Sequence, residues 1–283
     1  MPVKKIGVIG VGAIARWAHI PGILRSPDLT LSALCDTDSG RLEAAAREYG
    51  IPPERCYSSG EELIARSGVD AVDICTPNDV HVPLALQAAY AGLPFSVEKP
   101  LALETAQAEK LARETRERGL ANMVCFSYRF KAAARYARAL VQSGELGEMK
   151  RVIWIITTWY RSQSYYNSGG WRATWSGEGG GVLLNQCPHQ LDLWQWMCGM
   201  PSRVRAFMSF GGHRNIEVED DVTAYVEYPN GATGLFVTSV HETPGTNRLE
   251  ITGNQGKLVV TKDEITFWRT RIGEKEFNAS YTG

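Results

Sequence analysis

A glycine-rich turn near the start constrains this chain more than any other feature. Val3 to Ile9 reads as a strand, Gly10-Val11-Gly12-Ala13-Ile14-Ala15 follows as G-x-G-x-x-A, and a helical stretch then runs through Ile23-Leu24. Each small residue has a physical task. Gly10 permits a tight turn, Gly12 lets the backbone approach a pyrophosphate, and Ala15 lets the helix pack on the strand with its first amides facing phosphate. Ala13 and Ile14 lie in the same turn and join the cofactor candidates. A second strand-like run, Leu29 to Cys35, ends in Asp36, roughly twenty residues beyond the turn, where a carboxylate accepts hydrogen bonds from a ribose and repels a 2′-phosphate. The expected cofactor is therefore NAD in preference to NADP. Arg16 and Arg41 weigh the other way, since either suits a 2′-phosphate, although Arg41 opens an amphipathic helix (Arg41 to Tyr49) where a solvated charge is the plainer reading.

The strand–helix alternation continues. Ala71 to Cys75 is a strand leading into Thr76-Pro77-Asn78, and Val82 to Ala91 is a helix rich in alanine and leucine, which is βαβ order. Thr76, Pro77 and Asn78 fall at a strand's carboxyl end, where they either touch the nicotinamide half of a dinucleotide or form a plain turn. His19 and His81 read as packed or capping histidines, and His81 is carried as a cofactor candidate as well. Leu93 to Val97 is a short apolar run suited to a buried parallel strand, and Glu98-Lys99-Pro100 comes directly off its end. In open α/β sheets that edge is where ligands bind, so Glu98 and Lys99 are either site residues or a solvated pair. A helix from Glu104 to Arg118 and a strand from Met123 to Phe126 complete a dinucleotide-binding α/β Rossmann domain over residues 1–126.

Residues 127–283 change character. A helix from Ala132 to Gln142 precedes strands at Val152 to Trp159, Val204 to Phe210, Asp221 to Tyr228, Thr233 to Val240, Arg248 to Ile251, Lys257 to Val260 and Ile265 to Trp268. Turns at Pro229-Asn230-Gly231, Asn254-Gln255-Gly256 and Lys262-Asp263-Glu264 predict an α+β domain built on a large, mostly antiparallel sheet. All but one of the eight tryptophans lie here. Trp154, inside a strand, reads as core. Trp171 and Arg172, following Gly169-Gly170, are better placed to offer a flat apolar face and donors to a sugar. Tyr128 and Arg129 join them as candidate substrate contacts.

Composition narrows the partners. With 30 basic and 31 acidic residues the net charge is −1, so no global field draws the chain to nucleic acid or an anionic membrane. Six cysteines without a C-x-x-C pair point to a reducing cytoplasm. The basic and apolar opening reads as strand and turn rather than as a signal peptide, because glycines interrupt it. Five dispersed histidines, with no H-x-x-x-H or Cys/His cluster, give no expectation of a metal.

Further on, Gly177-Glu178-Gly179-Gly180-Gly181 leads through Val182-Leu183-Leu184-Asn185-Gln186-Cys187 to Pro188, which suits a first helical position, with Leu191, Trp194 and Met197 at helical spacing until Gly199. His189 then falls in a first turn, where the helix dipole disfavours an imidazolium and leaves a neutral ring able to accept a proton. A structural histidine would sit there equally well.

Taken together, the glycine turn, Thr76-Pro77-Asn78 with His81, Glu98-Lys99-Pro100, and the glycine-led segment ending in His189 resemble the Gfo/Idh/MocA oxidoreductases, which include inositol dehydrogenases and glucose-fructose oxidoreductase. The resemblance spans most of the chain. It implies a catalytic Lys99 contacting both the substrate hydroxyl and the nicotinamide ribose, a catalytic His189, and Asn185 where many relatives carry an aspartate. Asn185 cannot relay a proton but can orient a hydroxyl. Asp192 either sets the His189 tautomer or is a buried structural carboxylate. The implied activity is reversible oxidation of a secondary alcohol on a sugar, cyclitol or related polyol, in a homodimer or homotetramer. Two alternatives stay open: NAD-dependent glycoside cleavage without net redox change, and a non-catalytic NAD-binding regulator. Many relatives also run on past the position of Gly283, so a C-terminal segment is expected to be absent here.

Overall fold

The protein is described by a computed structural model covering residues 2–262 and 264–282. It comprises two compact units, Met1–Cys125 and Phe126–Gly283.

The first unit alternates β1 (Lys4–Ile9), α1 (Ile20–Arg25), β2 (Leu29–Cys35), α2 (Ser39–Tyr49), β3 (Cys56–Tyr57), α3 (Gly60–Arg66), β4 (Ala71–Ile74), α4 (His81–Tyr90), β5 (Phe95–Val97), α5 (Thr105–Glu117) and β6 (Asn122–Val124). The six strands lie in the order β3-β2-β1-β4-β5-β6 and every neighbouring pair is parallel. This is the doubly wound order in which the chain reverses beside β1, opening a crevice at the strands' carboxyl ends. Val8, Leu34, Val72, Ile74 and Val97 are nearly or wholly buried, as expected of strands covered on both faces. Two elements differ from expectation at their starts. The second helix begins at Ser39 because the Asp38 carboxylate accepts from the Arg41 amide at 2.8 Å. The first helix opens with a π-helical turn over Ala15–His19, and Pro21, which has no N–H for the Trp17 carbonyl, sits just beyond it. That turn carries His19 into the sheet edge.

In the second unit, α6 (Ala132–Gln142), β7 (Met149–Ile156), α7 (Gln163–Asn167) and α8 (Pro188–Cys198) precede β8 (Arg203–Phe210), β9 (Glu219–Glu227), β10 (Thr233–Ser239), β11 (Asn247–Gly253), β12 (Gly256–Thr261), β13 (Glu264–Arg269) and α9 (Glu274–Ser280). The sheet runs β13-β12-β11-β7-β10-β9-β8, with only β7 and β10 parallel. Asp263, at the tip of the expected β12–β13 turn, lies outside the described residues. Helices α6 and α8 cover one face: Ala137, Leu140, Leu193, Trp194 and Met197 share a core with Val152, Trp154, Phe236, Leu249 and Ile251. Trp194 meets Phe236 edge to face at 5.6 Å. Leu191, expected on this apolar stripe, is instead 39% exposed; Gln190 takes the buried position. Every residue of β8 is exposed, including Val204, Phe207 and Phe210.

Candidate active site

The glycine turn has the form a dinucleotide requires. Gly10 has φ +90°, and a Cβ there would lie 2.7 Å from the Cys75 carbonyl oxygen, so only glycine lets this turn meet the end of β4. A Cβ at Gly12 would meet nothing within 4 Å, leaving its backbone open to an approaching group. Ala13 and Ile14 lie in the same open turn, whereas Ala15 is fully buried against the strand. Asp36 is buried at the end of β2; its carboxylate accepts from the Val11 amide at 3.0 Å and the Asp38 amide at 2.9 Å. It therefore holds the glycine turn. Arg41 is exposed, as its helical setting predicts, and its Nη1 lies 3.5 Å from both Asp36 carboxylate oxygens. Arg16 is drawn away into an ion pair with Glu48. Thr76 Oγ1 is buried with no hydrogen-bond partner among the described residues, an orphan atom that a bound ligand would satisfy. The open Gly12 backbone, the buried acid and the orphan hydroxyl fit a nicotinamide dinucleotide.

Pro77 is exposed and Asn78 half-buried in the loop after β4. His81, carried as a cofactor contact, requires correction. Its ring is completely buried, with Nδ1 2.8 Å from the Pro100 carbonyl and Nε2 2.9 Å from the Thr76 carbonyl. Both ring nitrogens serve main-chain oxygens, so His81 ties the β4 loop to the Lys99–Pro100 loop and has no edge left for a cofactor.

The part-buried charges that hold the Lys99 backbone are not legible in the sequence. His19 Nδ1 lies 2.8 Å from Asp73 Oδ2 and Nε2 lies 2.9 Å from Glu98 Oε1, while Ser96 donates to Asp73 Oδ1 at 2.5 Å. Glu98 Oε2 in turn accepts from the Lys99 amide at 3.1 Å. Burial alone would pull the His19 pKa down, but its hydrogen bonds, led by that to Asp73, outweigh it and push the pKa far above the ordinary 6.5. Burial likewise tends to raise Glu98, yet the hydrogen bond and charge of His19 leave it below its usual value, with the Lys99 charge adding to this. His19 is thus not simply packed: it is a protonated brace between two carboxylates, one of which fixes the backbone from which Lys99 projects.

This brace has a pH signature. His19 keeps its proton in the fold but loses it near 6.5 when unfolded, so its stabilisation is complete below that pH and declines above it. The decline amounts to about 1.4 kcal/mol per pH unit for one proton. His19→Gln should therefore lower Tm most at pH 6, with the gap to wild type narrowing steadily toward pH 9. Thermal melts across that range check this, and a gap independent of pH would contradict it.

The second unit supplies its own candidates. Asn185 lies in a π-helical turn over Val182–Gln186, and His189 is the second residue of α8 behind Pro188. Gly181 enters this turn so close to β9 that a Cβ would lie 2.0 Å from the Glu219 carbonyl oxygen, and the buried Glu219 carboxylate accepts from the amides of Gly181 at 2.9 Å and Leu183 at 3.0 Å. Asn185 and His189 are partly exposed, while Gln186, Cys187, Pro188 and Gln190 around them are buried. The His189 ring stacks on Tyr128 at 4.4 Å and 10°, and meets Phe126 edge-on at 6.1 Å. Arg129 differs from expectation. Its guanidinium grips both Asp192 oxygens, Nε at 2.8 Å and Nη2 at 2.5 Å. Asp192 is therefore a structural carboxylate, and Arg129 is committed to it rather than to a substrate. Arg172 donates to the Tyr165 hydroxyl at 2.9 Å and lies over the Trp171 ring at 4.6 Å, leaving the indole 38% exposed.

Two groups of metal-capable side chains correct the view that the histidines are dispersed: His19, Asp73 and Cys125 in the first unit, and His213, Asp221 and His241 in the second.

Comparison with known proteins accords with this geometry. Residues 4–126 match the model of an oxidoreductase family with an NAD-binding Rossmann fold, and residues 134–259 match the GFO/IDH/MocA C-terminal domain. Levoglucosan dehydrogenase of Pseudarthrobacter phenanthrenivorans is 27% identical, over 99% of this chain and 80% of that protein. The scyllo-inositol 2-dehydrogenase (NAD(+)) of Bacillus subtilis is 26% identical, over 90% of this chain and 73% of its own length. Among solved structures, the WlbA dehydrogenase from Bordetella pertussis, in complex with NADH and UDP-GlcNAcA, superposes with a TM-score of 0.87 at 26% identity, covering 98% of this chain and 84% of that one. With both characteristic domains present in order, the chain belongs to the GFO/IDH/MocA family of oxidoreductases.

Proposed function

We propose that this protein is an NAD-dependent dehydrogenase that reversibly oxidises a secondary alcohol of a sugar, cyclitol or related polyol. The observation that carries the reading is Lys99: a partly exposed lysine at the carboxyl end of β5, on a backbone pinned through Glu98 to the part-buried His19–Asp73 pair. When bound, the nicotinamide supplies the hydride acceptor. Lys99 holds the reacting hydroxyl by charge and hydrogen bond, lowering the cost of its deprotonation. His189, kept in one orientation by Tyr128, accepts the hydroxyl proton, and Asn185 orients the hydroxyl by hydrogen bonding. Trp171 offers an apolar face to the C–H surface of the ring, with Arg172 beside it as a donor, and the Tyr128 hydroxyl is a further donor to the substrate.

The NAD preference rests on Asp36. Replacing it with serine removes the acceptor for the ribose hydroxyls and frees Arg41 for a 2′-phosphate. A charge-assisted hydrogen bond contributes about 1.5–3 kcal/mol, so the ratio of kcat/KM with NAD to that with NADP should fall at least about tenfold in Asp36→Ser. The same substitution also loosens the Val11 amide, which weakens both cofactors and leaves the ratio as the informative quantity. An unchanged ratio would remove Asp36 from this role.

The homo-oligomeric reading is supported by β8, whose exposed Val204, Phe207 and Phe210 leave an apolar sheet edge. The cytoplasmic reading is supported by the free thiols of all six cysteines. Among the described residues no helix is long and apolar enough to cross a membrane. The activity is tested by incubating purified protein with NAD and a panel of sugars and inositols while following reduced nicotinamide in steady state. Substrate-dependent NADH release supports the dehydrogenase; substrate consumption without it would instead indicate redox-neutral cleavage.

A further inference from the structure

The second unit gathers two of the five histidines at one end of its sheet, where the function proposed above does not use them. Asp221, the third residue of β9, is in register with Ser239 of β10, and His241 follows two residues after Ser239, so the β9–β10 pairing sets the carboxylate beside the ring: His241 Nδ1 lies 3.8 Å from Asp221 Oδ2. His213 comes from the β8–β9 loop and stacks on His241 with centroids 3.5 Å apart and planes 12° from parallel. One ligand atom from each of the three residues lies within 4.8 Å of the others.

The loop that delivers His213 is fixed from beneath. Asp220, fully buried on the opposite face of β9, accepts from the main-chain amides of Gly212 at 3.3 Å, His213 at 2.7 Å and Arg214 at 3.2 Å. Arg214 Nε donates to the Arg161 carbonyl at 2.6 Å, and the Arg161 amide donates to the Val240 carbonyl at 2.8 Å, next to His241. Both histidine-bearing segments are therefore tied into one hydrogen-bonded frame. His241 Nδ1 is buried and makes no hydrogen bond among the described residues. Beside the rings opens a hollow of about 620 Å³ lined by Tyr160, Gln163, His213, Arg214 and Asn215 among others.

We propose that His213, His241 and Asp221 form a binding site for one divalent transition metal ion of the zinc, cobalt or nickel type, with at least one coordination position open to this hollow. Two imidazoles and one carboxylate are a ligand set for borderline metals rather than for magnesium or calcium. A tetrahedral ion with bonds of about 2.1 Å needs donors about 3.4 Å apart, so rotation of the two rings about their side-chain bonds completes the site without moving the sheet. The open position would take water or a hydroxyl or carboxylate oxygen of a ligand held in the hollow. The other grouping, His19 with Asp73 and Cys125, is unsuited: both His19 nitrogens are engaged by carboxylates, and burial pushes the Cys125 thiol up to about 12, so it stays protonated.

The test uses the full chain, freed of metal by chelation and titrated calorimetrically with zinc alone. One zinc per chain should bind, and His213→Ala, His241→Ala and Asp221→Asn should each weaken binding at least about tenfold, whereas Cys125→Ala should not. An unchanged circular dichroism spectrum and thermal melt of each metal-free variant establish that it is folded. Cobalt added to the wild-type protein should develop visible ligand-field bands that the His213→Ala/His241→Ala variant lacks. Absence of stoichiometric zinc binding by the wild type, or binding of equal affinity in the double variant, would overturn the proposal.

Discussion

Lys99→Ala is expected to lower kcat by about 10²–10⁴-fold while leaving the NAD dissociation constant close to that of the wild type. The size follows from what the amine is asked to do. A positioned cation that stabilises a developing alkoxide acts on the transition state far more than on the bound ground state, so its removal appears in kcat rather than in cofactor affinity. The separation is clean because the backbone at this position is held by groups other than the amine: the Glu98 carboxylate accepts the Lys99 amide and is itself braced by His19. Truncating the side chain leaves that brace standing. Steady-state kinetics together with NADH fluorescence titration read the two quantities, and a variant turning over at the wild-type rate would withdraw the assignment.

The second large effect concerns His189. His189→Ala should also cost about 10²–10⁴-fold in kcat, and the distinguishing sign lies in the pH profile. A neutral imidazole acting as base gives kcat/KM an acidic limb, which the variant should lose because nothing at Asn185 can take the proton. If Tyr128 stacking matters only as packing, a variant that keeps a flat ring, His189→Phe, would restore activity; the proton-accepting role predicts that it does not. Retention of the acidic limb in His189→Ala would assign that limb to another group.

Much of the architecture is legible in the sequence because it is written in short-range terms. Gly10 is required by a positive φ and a backbone contact, and the apolar runs at Val8, Val72 and Val97 state that their strands are covered on both faces. The strands of the second unit are found within a few residues of their ends for the same reason. What escapes is whatever depends on long-range register. The His19–Asp73–Glu98 brace joins three elements through a π-helical turn, a widening that helical periodicity does not announce. The pairing of Arg129 with Asp192 spans an intervening sheet strand, and neither residue type alone signals it. The encounter of His213 with His241 depends on how β9 pairs with β10, which a count of histidine spacings cannot anticipate. Short elements escape as well: β3 has only two residues, and α3 is announced chiefly by Ser59, whose hydroxyl accepts from the Glu62 amide at 3.4 Å. His81 illustrates the converse, since a motif position beside the Thr76–Asn78 loop proves to be a buried tie between two carbonyls.

The central claim is that Lys99 and His189 serve a single proton-and-hydride step on one alcohol. Its most direct test is the kcat of Lys99→Ala, His189→Ala and the double variant on the polyol identified by screening. Residues acting as a unit predict a double variant little slower than the worse single one. Losses that multiply in full, as for two independent steps, would contradict the account.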